Sequence, residues 1–375
     1  MRLLEPRGAA RMTVAAIGDV GLVGGARERA RREGHDAPFR ALAPALHAAD
    51  LAFANLEMPF GRAAWFEPMR TAEFWQYAEV AAGLARAGVR VVSLANNHTM
   101  DCGVRGLERT LEACRAAGLA VVGAGADLAA ARVPARLEVR GLRVVVLAYA
   151  ATQGDAARGD RAGVAPLDAE VIREDLARWR PEAEVLIVSA HWGSMYVDYP
   201  PPRVLDHARA IEEQGADLIL GHHPHVLQGY RRRGRCLTLF SLGESVFHSL
   251  AGDFHATLAS ELRRESAVFT AALADEPGLD IEPLWLDEDG FPIAADPALA
   301  ARIRERLIRI SARLDEASER YQVESAPQLV GYELEKLGHY VRQGRLDKIV
   351  RMIGTFRARH VPMLWQAVRR GARSR

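Results

Sequence analysis

Three histidines occur within the five-residue run GHHPH, Gly221 to His225, directly after the apolar stretch that ends at Leu220. Packing alone explains such a run poorly, because each buried imidazole needs a hydrogen-bond partner or a metal ion. His223 and His225 flank Pro224, and the fixed φ of proline stiffens the turn between them. Two ring nitrogens held in this way suit a transition metal. The run therefore indicates a candidate metal site.

Other polar side chains that could contribute to such a site also follow apolar runs. They are Asp19, Asn55, Glu57, Asn96, Asn97, His98 and His191. In open α/β sheets, the loops beyond the carboxyl ends of the strands converge on one crevice. Together with the GHHPH run, five strands would deliver carboxylates, amides and imidazoles to one edge. We therefore predict that these residues form a single site.

The elements that must position this site are short strands alternating with amphipathic helices, a pattern typical of α/β layered folds. Predicted strands cover residues 14–17, 51–54, 89–94, 119–122, 142–148, 185–189, 218–220 and 237–240. Predicted helices cover residues 79–87, 106–117, 168–179 and 202–214. A hairpin is expected to turn at Gly141, and residues 267–274 and 281–293 are expected to complete a second sheet. The last ~80 residues show the apolar periodicity of helices.

The composition is that of an ordinary globular protein. At 375 residues and 41.1 kDa, the chain can form one large domain with an appendage, or two domains. Its net charge of +1 favours neither nucleic acid nor an anionic membrane as a partner. Residues 301–375 are locally basic, with 17 Lys/Arg against 8 Asp/Glu, but they contain no nucleic-acid recognition motif. They are expected either to pack against the acidic body or to help hold an acidic polymer.

Cysteine usage and the N-terminus bear on localisation. Cys102, Cys114 and Cys236 are far apart and form no CxxC pair, so neither a disulfide framework nor a cysteine zinc site is expected. The N-terminal residues contain no apolar signal-peptide core, and no run approaches the roughly 20 apolar residues of a membrane span. These features predict a cytoplasmic protein without a transmembrane segment.

Six motifs, taken in chain order, resemble those of the CapA-like family. They are GDV (18–20), NLE (55–57), SLANNHTMDCG (93–103), VGAGADLAAAR (122–132), HWG (191–193) and GHHPHVLQ (221–228). This is the poly-γ-glutamate capsule biosynthesis group, which shares the calcineurin-like metallophosphoesterase fold. The resemblance implies an α/β fold, a four-layer α-β-β-α sandwich, and the apolar periodicity of the last ~80 residues predicts a C-terminal helical extension. We expect the sandwich to cover residues 12–294 and the basic extension to cover residues 295–375.

The resemblance also implies a centre for one or two divalent metal ions. Its ligands would be Asp19 and His225 for one ion, Asn97, His191 and His223 for the second, and Glu57 bridging the two. His98 would be the proton-donating histidine, oriented by Asp101. Imidazole, amide and carboxylate ligands of this kind favour Mn, Zn or Fe, with Ca or Mg as alternatives.

Three positions depart from the patterns of related proteins. Metallophosphoesterases usually open with Asp-x-His, whereas this chain has Gly21, so the first ion would lose a ligand. Relatives often carry HWGxE and SLGNF, whereas this chain has Met195 in the first motif and Glu244 in the second. Glu244 is expected to be either an additional acid/base group or a surface substitution. These departures bear on substrate identity more than on metal binding.

Three further side chains are predicted to contact the substrate. Trp192 and Tyr196 follow His191 and could line a pocket. Arg232 lies in a run of three arginines after the GHHPH turn, where it could attract an anion. The alternative for this run is a solvated hairpin tip.

The leading hypothesis for function is a metal-dependent hydrolase acting on a peptide or poly-γ-glutamate-type amide. A metal-activated water would attack the carbonyl, and His98 would protonate the leaving nitrogen. A second hypothesis is a metal-dependent peptide Cα epimerase of a natural-product pathway, with His98 and either Glu244 or His255 as its acid/base pair. Phosphoester hydrolysis is a third, by analogy of fold. A non-catalytic component of a capsule polymer synthesis complex is the fourth. The expected partner is a peptide or an acidic polymer, and the oligomeric state stays open.

Overall fold

The predicted alternation of strands and helices is present in a computed structural model, which describes residues 1–65, 74–152, 154–248, 260–325, 337–338 and 340–341. The strands are β1 (Arg2–Leu4), β2 (Met12–Gly21), β3 (Leu51–Leu56), β4 (Val91–Ser93), β5 (Ala120–Val122), β6 (Ala124–Gly125), β7 (Ala135–Val139), β8 (Leu142–Ala150), β9 (Gly163–Val164), β10 (Val185–His191), β11 (Leu218–His222), β12 (Tyr230–Arg233), β13 (Cys236–Leu239), β14 (Glu244–Phe247), β15 (Glu265–Leu273), β16 (Gly278–Leu286) and β17 (Pro292–Ala294). The helices are α1 (Gly24–Glu33), α2 (Ala43–Ala48), α3 (Val80–Arg86), α4 (Gly103–Ala116), α5 (Leu128–Ala131), α6 (Ala169–Trp179), α7 (Pro202–Glu213), α8 (Ser260–Arg264), α9 (Pro297–Ser311) and α10 (Ala317–Arg320).

The larger sheet has the strand order β1-β16-β15-β2-β3-β4-β5, with β14 also pairing with β2 and β17 with β16. Strands β2 to β5 and β14 are parallel, so their carboxyl ends lie at one edge. Strand β15 is antiparallel to β2, with Phe269 opposite Ala16. The expectation that residues 267–274 and 281–293 complete a second sheet is therefore wrong. These residues extend the first sheet, because β15 pairs with a strand that is distant in the chain.

The smaller sheet has the strand order β12-β13-β11-β10-β8-β7. Strands β8, β10, β11 and β13 are parallel, and β7 and β8 form the predicted hairpin around Gly141. Alternate residues of β8 face opposite sides, as expected for a strand. Val144 and Val146 belong to the core between the two sheets, whereas Val145 and Leu147 pack with residues of α6 and α7.

Helices cover the outer face of each sheet. Leu46 of α2, Leu84 of α3 and Leu107 of α4 pack against the larger sheet. Ile172 of α6 and Ile211 of α7 pack against the smaller one. Together these layers confirm the predicted four-layer α-β-β-α sandwich.

Helix α9 lies in the predicted C-terminal extension, a part of the chain that none of the six motifs covers. Ile303 and Leu307 of this helix join the large core cluster that contains the residues of the larger sheet, and Ile310 joins the core beneath the smaller sheet. The helix therefore packs on the sandwich through its predicted apolar face. The boundary between residues 294 and 295 stays a prediction, and most residues beyond 325 lie outside the described part of the chain. Within that part, none of the helices combines the length and apolar character needed to cross a bilayer.

Candidate metal centre

Strands from both sheets end at the same edge, and the polar residues there form one cluster. Asp19 near the end of β2 pairs with Asn55 of β3, and His191 at the end of β10 pairs with His222 at the end of β11. Side-chain contacts bring together Asp19, Glu57, Asn97, His98, Asp101, His191, His223, His225 and Glu244. Nine residues predicted for the site are therefore neighbours in the structure. Their chemical roles stay predictions.

The turn that carries the histidines has an unusual backbone. The φ angles of His223 and His225 are 94° and 58°, and that of Tyr196 in the adjacent loop is 63°. Non-glycine residues in this region are uncommon and cost about 1–3 kcal/mol each. The Tyr196 N–H donates to Pro224 O at 2.8 Å, which ties the loop to the turn. The surrounding structure thus holds the two imidazoles in a conformation that the chain would not adopt freely.

Glu57 lies at the centre of the cluster. Its side chain is fully buried, and neither carboxylate oxygen has a hydrogen bond within the described part of the chain. Its Oε1 atom lies 3.7 Å from His225 Nε2, 3.9 Å from His191 Nε2 and 4.0 Å from His98 Nε2. Burial, followed by the negative charge of Asp19, raises the pKa of Glu57 well above its usual value. A buried carboxylate of this kind requires a proton or a cation.

Asp19 has several hydrogen-bonding neighbours. Asn55 Nδ2 donates to Oδ1 at 2.8 Å, and the backbone N–H of His223 donates to Oδ2 at 3.2 Å. His222 Nδ1 lies 3.2 Å from Oδ1, and His225 Nδ1 lies 3.6 Å from Oδ2. Burial opposes ionisation of Asp19, but the hydrogen bond with His222 and the surrounding imidazoles outweigh it and lower the pKa. Asp19 is therefore an ionised carboxylate.

The histidines of the second predicted ligand set are neutral. Burial, followed by the nearby His223, lowers the pKa of His191 well below its usual value. Burial, followed by His225, lowers the pKa of His223 to about 3. His191 Nε2 lies 2.7 Å from Asn97 Oδ1, and its Nδ1 atom and that of His223 have no hydrogen-bond partner among the described residues. Neutral imidazole is the form that binds metal ions.

The donor set fits a divalent cation. Ligand atoms of Asp19, Glu57 and His225 all lie within 4.8 Å of one another. Carboxylate and imidazole donors suit Mn²⁺, Zn²⁺ or Fe²⁺. The unbonded oxygens of Glu57 point to the same conclusion, because their charge has no compensating group among the described hydrogen bonds.

His98 and Asp101 lie beside this donor set. His98 Nδ1 lies 2.7 Å from Asp101 Oδ2, and the ring of Phe74 lies 4.8 Å from the His98 ring. This arrangement assigns the Nδ1 proton to the bond with Asp101 and directs Nε2 towards Glu57. The structure therefore has the geometry expected for an oriented proton-transfer histidine.

Glu244 is part of the cluster and is not a surface substitution. It is 2% exposed and lies opposite Asp19 in the pairing of β14 with β2. Its Oε1 atom lies 3.3 Å from His225 Nδ1. Arg263 Nε and Nη2 donate to the same oxygen at 3.1 and 2.7 Å. Glu244 is therefore engaged in a buried ion pair with Arg263.

Gly21 leaves no ligand where metallophosphoesterases have a histidine, and an aromatic ring occupies the space instead. A Cβ atom at position 21 would lie 2.6 Å from Phe247 Cε2 and 3.0 Å from Met58 Cγ. The Phe247 ring lies 5.2 Å from the His225 ring. The absent ligand is thus replaced by an apolar contact.

The structure places two of the three predicted substrate-contact residues away from the cluster. Trp192 is 1% exposed and packs in the core beneath the smaller sheet, where its Nε1–H donates to Phe240 O at 3.0 Å. Successive strand residues face opposite sides, so the residue after His191 points away from the crevice. Arg232 lies opposite Leu237, near the start of β13, which is the end of the sheet remote from the centre. It donates to the carbonyl of Glu5 at 2.7 Å.

The remaining predicted residues are placed as follows. The Tyr196 ring stacks on the His225 ring at 5.9 Å, and its contact with a substrate stays a prediction. His255 lies outside the described residues. Asn55, which the sequence places at the same edge, donates a hydrogen bond to Asp19. Arg263 was not predicted, because no local signal in the sequence marks it.

The two-sheet fold and the buried carboxylate–imidazole cluster define an α/β protein with a candidate metal centre at the strand ends. The chain belongs to the bacterial capsule synthesis protein PGA_cap family, whose sequence profile matches residues 13–249. This match confirms the resemblance to the CapA-like family. It covers every candidate ligand together with His98, Asp101 and Glu244, but it does not include Arg263.

Two relatives are similar over more than half of the chain. The capsule biosynthesis protein CapA of Bacillus anthracis is 30% identical over 246 residues, which are 63% of this chain and 60% of the relative. The PGA biosynthesis protein CapA of Bacillus subtilis (strain 168) is 29% identical over 240 residues, which are 63% of each chain. The chain thus spans about three fifths of the length of these relatives. A solved structure of a hypothetical protein from Thermus thermophilus aligns with 76% of this chain and 96% of its own, at 18% identity and a TM-score of 0.44.

Proposed function

We propose that this protein is a metal-dependent hydrolase that cleaves an amide bond in a peptide or a γ-glutamyl polymer. The observation that carries the proposal is the buried carboxylate of Glu57, which has no hydrogen bond from the described residues and faces the ring nitrogens of three histidines. A divalent cation would compensate this charge. The names of the two relatives, which refer to capsule and PGA biosynthesis, support the substrate class.

The proposed ligands are Asp19, Glu57, Asn97, His191, His223 and His225. When bound, a divalent ion supplies Lewis-acid polarisation of the amide carbonyl and acidifies water. His98 would transfer a proton to the leaving nitrogen through Nε2, because its Nδ1 is engaged by Asp101 at 2.7 Å. Asp101 would hold the ring in this orientation and stabilise its protonated form.

The contacts of Glu244 argue against one of the two acid/base pairs considered for an epimerase, His98 with Glu244; the other candidate partner, His255, lies outside the described residues. An epimerase needs two proton carriers on opposite faces of the Cα atom. His98 can serve as one of them, but Glu244 Oε1 already accepts two hydrogen bonds from Arg263. A hydrolase requires only one proton donor besides the activated water.

The test combines metal content with product analysis. The protein would be incubated with Mn²⁺ or Zn²⁺ and with γ-glutamyl peptides or poly-γ-glutamate in H₂¹⁸O, and the products analysed by mass spectrometry. We expect cleavage with ¹⁸O in the new carboxylate, loss of activity in EDTA and recovery on addition of metal. Glu57→Gln should lose both bound metal and cleavage, whereas Glu108→Gln, an exposed change on α4, should retain both.

Full activity in Glu57→Gln would overturn the proposal. Deuterium incorporation at a peptide Cα in D₂O without cleavage would instead identify an epimerase. Release of phosphate from phosphoesters would identify a phosphoesterase. Metal binding without any of these reactions would favour a structural role in a polymer synthesis complex.

A further inference from the structure

The loop between β10 and α7, residues 192–201, contacts the turn that carries His225. The Tyr196 ring stacks on the His225 ring at 5.9 Å, and the Tyr196 N–H donates to Pro224 O at 2.8 Å. The φ angle of Tyr196 is 63°, which non-glycine residues rarely adopt. The loop therefore packs on a proposed metal ligand in a backbone conformation that the surrounding structure must hold.

Three contacts from the C-terminal part of the chain reach this loop. They join Tyr321 to Ser194, Arg263 to Tyr196, and Arg306 to Asp198. The first joins two hydroxyl oxygens 3.2 Å apart, the second places a guanidinium carbon 5.0 Å from a ring centre, and the third is an ion pair. All three partners follow residue 249, where the match to the family profile ends. The loop is thus supported by segments that the profile does not include.

Arg306 of α9 connects the loop to the larger sheet. Its side chain is 5% exposed, and it donates from Nη1 to Glu265 Oε2 at 3.1 Å and from Nη2 to Asp198 Oδ1. Glu265 is 1% exposed and is the first residue of β15, which pairs with β2. Hydrogen bonds between a guanidinium and carboxylates are strong and directional. Arg306 therefore holds the loop at a fixed place beside β15.

The candidate metal centre needs such a connection because its ligands come from both sheets. Asp19 and Glu57 lie at the ends of β2 and β3 in the larger sheet, whereas His225 follows β11 of the smaller sheet. His225 Nε2 lies 3.7 Å from Glu57 Oε1 across this boundary. The binding of one ion by ligands from both sheets depends on the distance between them.

We propose that Arg306 is a positioning residue of this centre, which holds the loop in the conformation that stacks Tyr196 on His225. The inference rests on the proposed function only in taking His225 to be a metal ligand. Asp198 is two residues from Tyr196, so fixing its carboxylate restricts the Tyr196 backbone and, through the stacked rings, the His225 imidazole. The contacts of the other two C-terminal residues support the same loop.

The remaining anchors of the loop cannot replace Arg306 in this role. Tyr196 donates to Pro224 O, and Gln228 Nε2 donates to Val197 O at 2.8 Å. Both partners belong to the segment that follows β11, which also carries the proposed ligand, so these bonds would move together with it. Arg306 differs because its second carboxylate partner belongs to the larger sheet.

The test compares Arg306→Met, Asp198→Ala and Asp198→Asn with the wild type. Asp198→Ala removes only the loop side of the network and leaves the buried pair of Arg306 with Glu265 intact. Arg302→Met is the matched control, because Arg302 pairs with the same Glu265 carboxylate at 3.3 Å and, in the described part of the chain, has no ion pair with the loop. Hydrogen exchange by mass spectrometry in EDTA would measure the loop, with β13 as an internal reference. Calorimetric titration of metal-free protein would give the affinity for Mn²⁺.

We expect exchange in the loop to be at least about tenfold faster in Arg306→Met and Asp198→Ala, because each loses a hydrogen bond between charged groups. Exchange in β13 should be unchanged in Asp198→Ala. Mn²⁺ should bind at least about fivefold more weakly to both variants, since a group that orients a ligand is lost. Asp198→Asn keeps an oxygen acceptor and should lie between Asp198→Ala and the wild type, whereas Arg302→Met should match the wild type. If Arg306→Met fails to fold, Asp198→Ala must give both results.

Two results would overturn the inference and leave the proposed hydrolase intact. Loop exchange as slow in the variants as in the wild type would show that the segment after β11 is sufficient to hold the loop. Faster exchange with unchanged affinity for Mn²⁺ would show that Arg306 orders the loop without positioning the centre. Absence of Mn²⁺ binding in the wild type would remove both proposals, and the expected results without cleavage of any amide would overturn the hydrolase alone.

Discussion

Nδ1 of His98 lies 2.7 Å from Oδ2 of Asp101, and Nε2 of the same ring lies 4.0 Å from Oε1 of Glu57. One side of the imidazole is thus fixed by a carboxylate, and the other faces the candidate metal centre. Fixing one ring nitrogen determines the tautomer and the direction of the other. The pair is therefore suited to carry a proton between the crevice and a reacting group.

Asp101→Asn should lower the rate of the proposed hydrolysis by a factor of about 10²–10⁴, because the ring loses its fixed tautomer and its counter-charge. Bound metal should be unchanged, since Asp101 is outside the ligand set. Steady-state kinetics and metal analysis on the same preparation would check both. Asp127→Asn, which affects an exposed helix cap, is the matched control. A parallel loss of metal would show that Asp101 supports the centre itself.

The metal-free protein should lose stability as the pH falls below 6.5, in part through His223. Burial, followed by His225, lowers the pKa of His223 to about 3, against 6.5 for an ordinary histidine. Between these values the unfolded residue binds a proton and the folded one does not. The free energy of unfolding therefore decreases as the pH falls, by about 1.4 kcal/mol per pH unit for this residue.

His223→Asn should reduce that slope by about the same amount. Urea unfolding in EDTA between pH 6.5 and about 4.5 would measure it. His47→Asn, a change at an exposed histidine, serves as the control. An unchanged slope in His223→Asn would show that the ring is protonated in the folded protein.

Gly21→Ala should destabilise the protein by about 1–3 kcal/mol, the usual effect of overpacking. The added methyl group would lie 2.6 Å from the Phe247 ring. Thermal and urea unfolding would measure the change. Gly154→Ala is the control, because a Cβ atom there meets no neighbour within 4 Å. Equal stability of the two variants would mean that the Phe247 ring moves aside at little cost in free energy and does not block a side chain at position 21.

Arg306→Met should lower the free energy of unfolding by about 3 kcal/mol, because it leaves a buried carboxylate without its main partner. Arg306 of α9 donates to Glu265 Oε2 at 3.1 Å and also to Asp198 in the loop of Tyr196. Arg309→Met removes an exposed charge from the same helix and should have little effect. Chemical denaturation of both variants would decide whether α9 is held to the sandwich by this network.

Much of the centre was predictable from the sequence because each ligand candidate follows an apolar strand. Asp19, Glu57, His191 and His223 reach one edge because β2, β3, β10 and β11 are parallel within their sheets. Parallel strands place their carboxyl ends at the same edge of a sheet. Residue type and strand order are therefore enough to predict which side chains meet at that edge. The position of Trp192 could also have been predicted, since alternation turns the residue after His191 towards the core.

The sequence by itself determined the elements, the apolar faces and the chemical types gathered at the strand ends, because these follow from local periodicity. Only the tertiary structure decided that β15 and β16 extend the first sheet, that Arg232 lies at the remote end, and that Arg263 pairs with Glu244. These outcomes depend on pairing and packing between distant segments. Local periodicity specifies which face of an element is buried, but it does not specify the partner against which that face is buried.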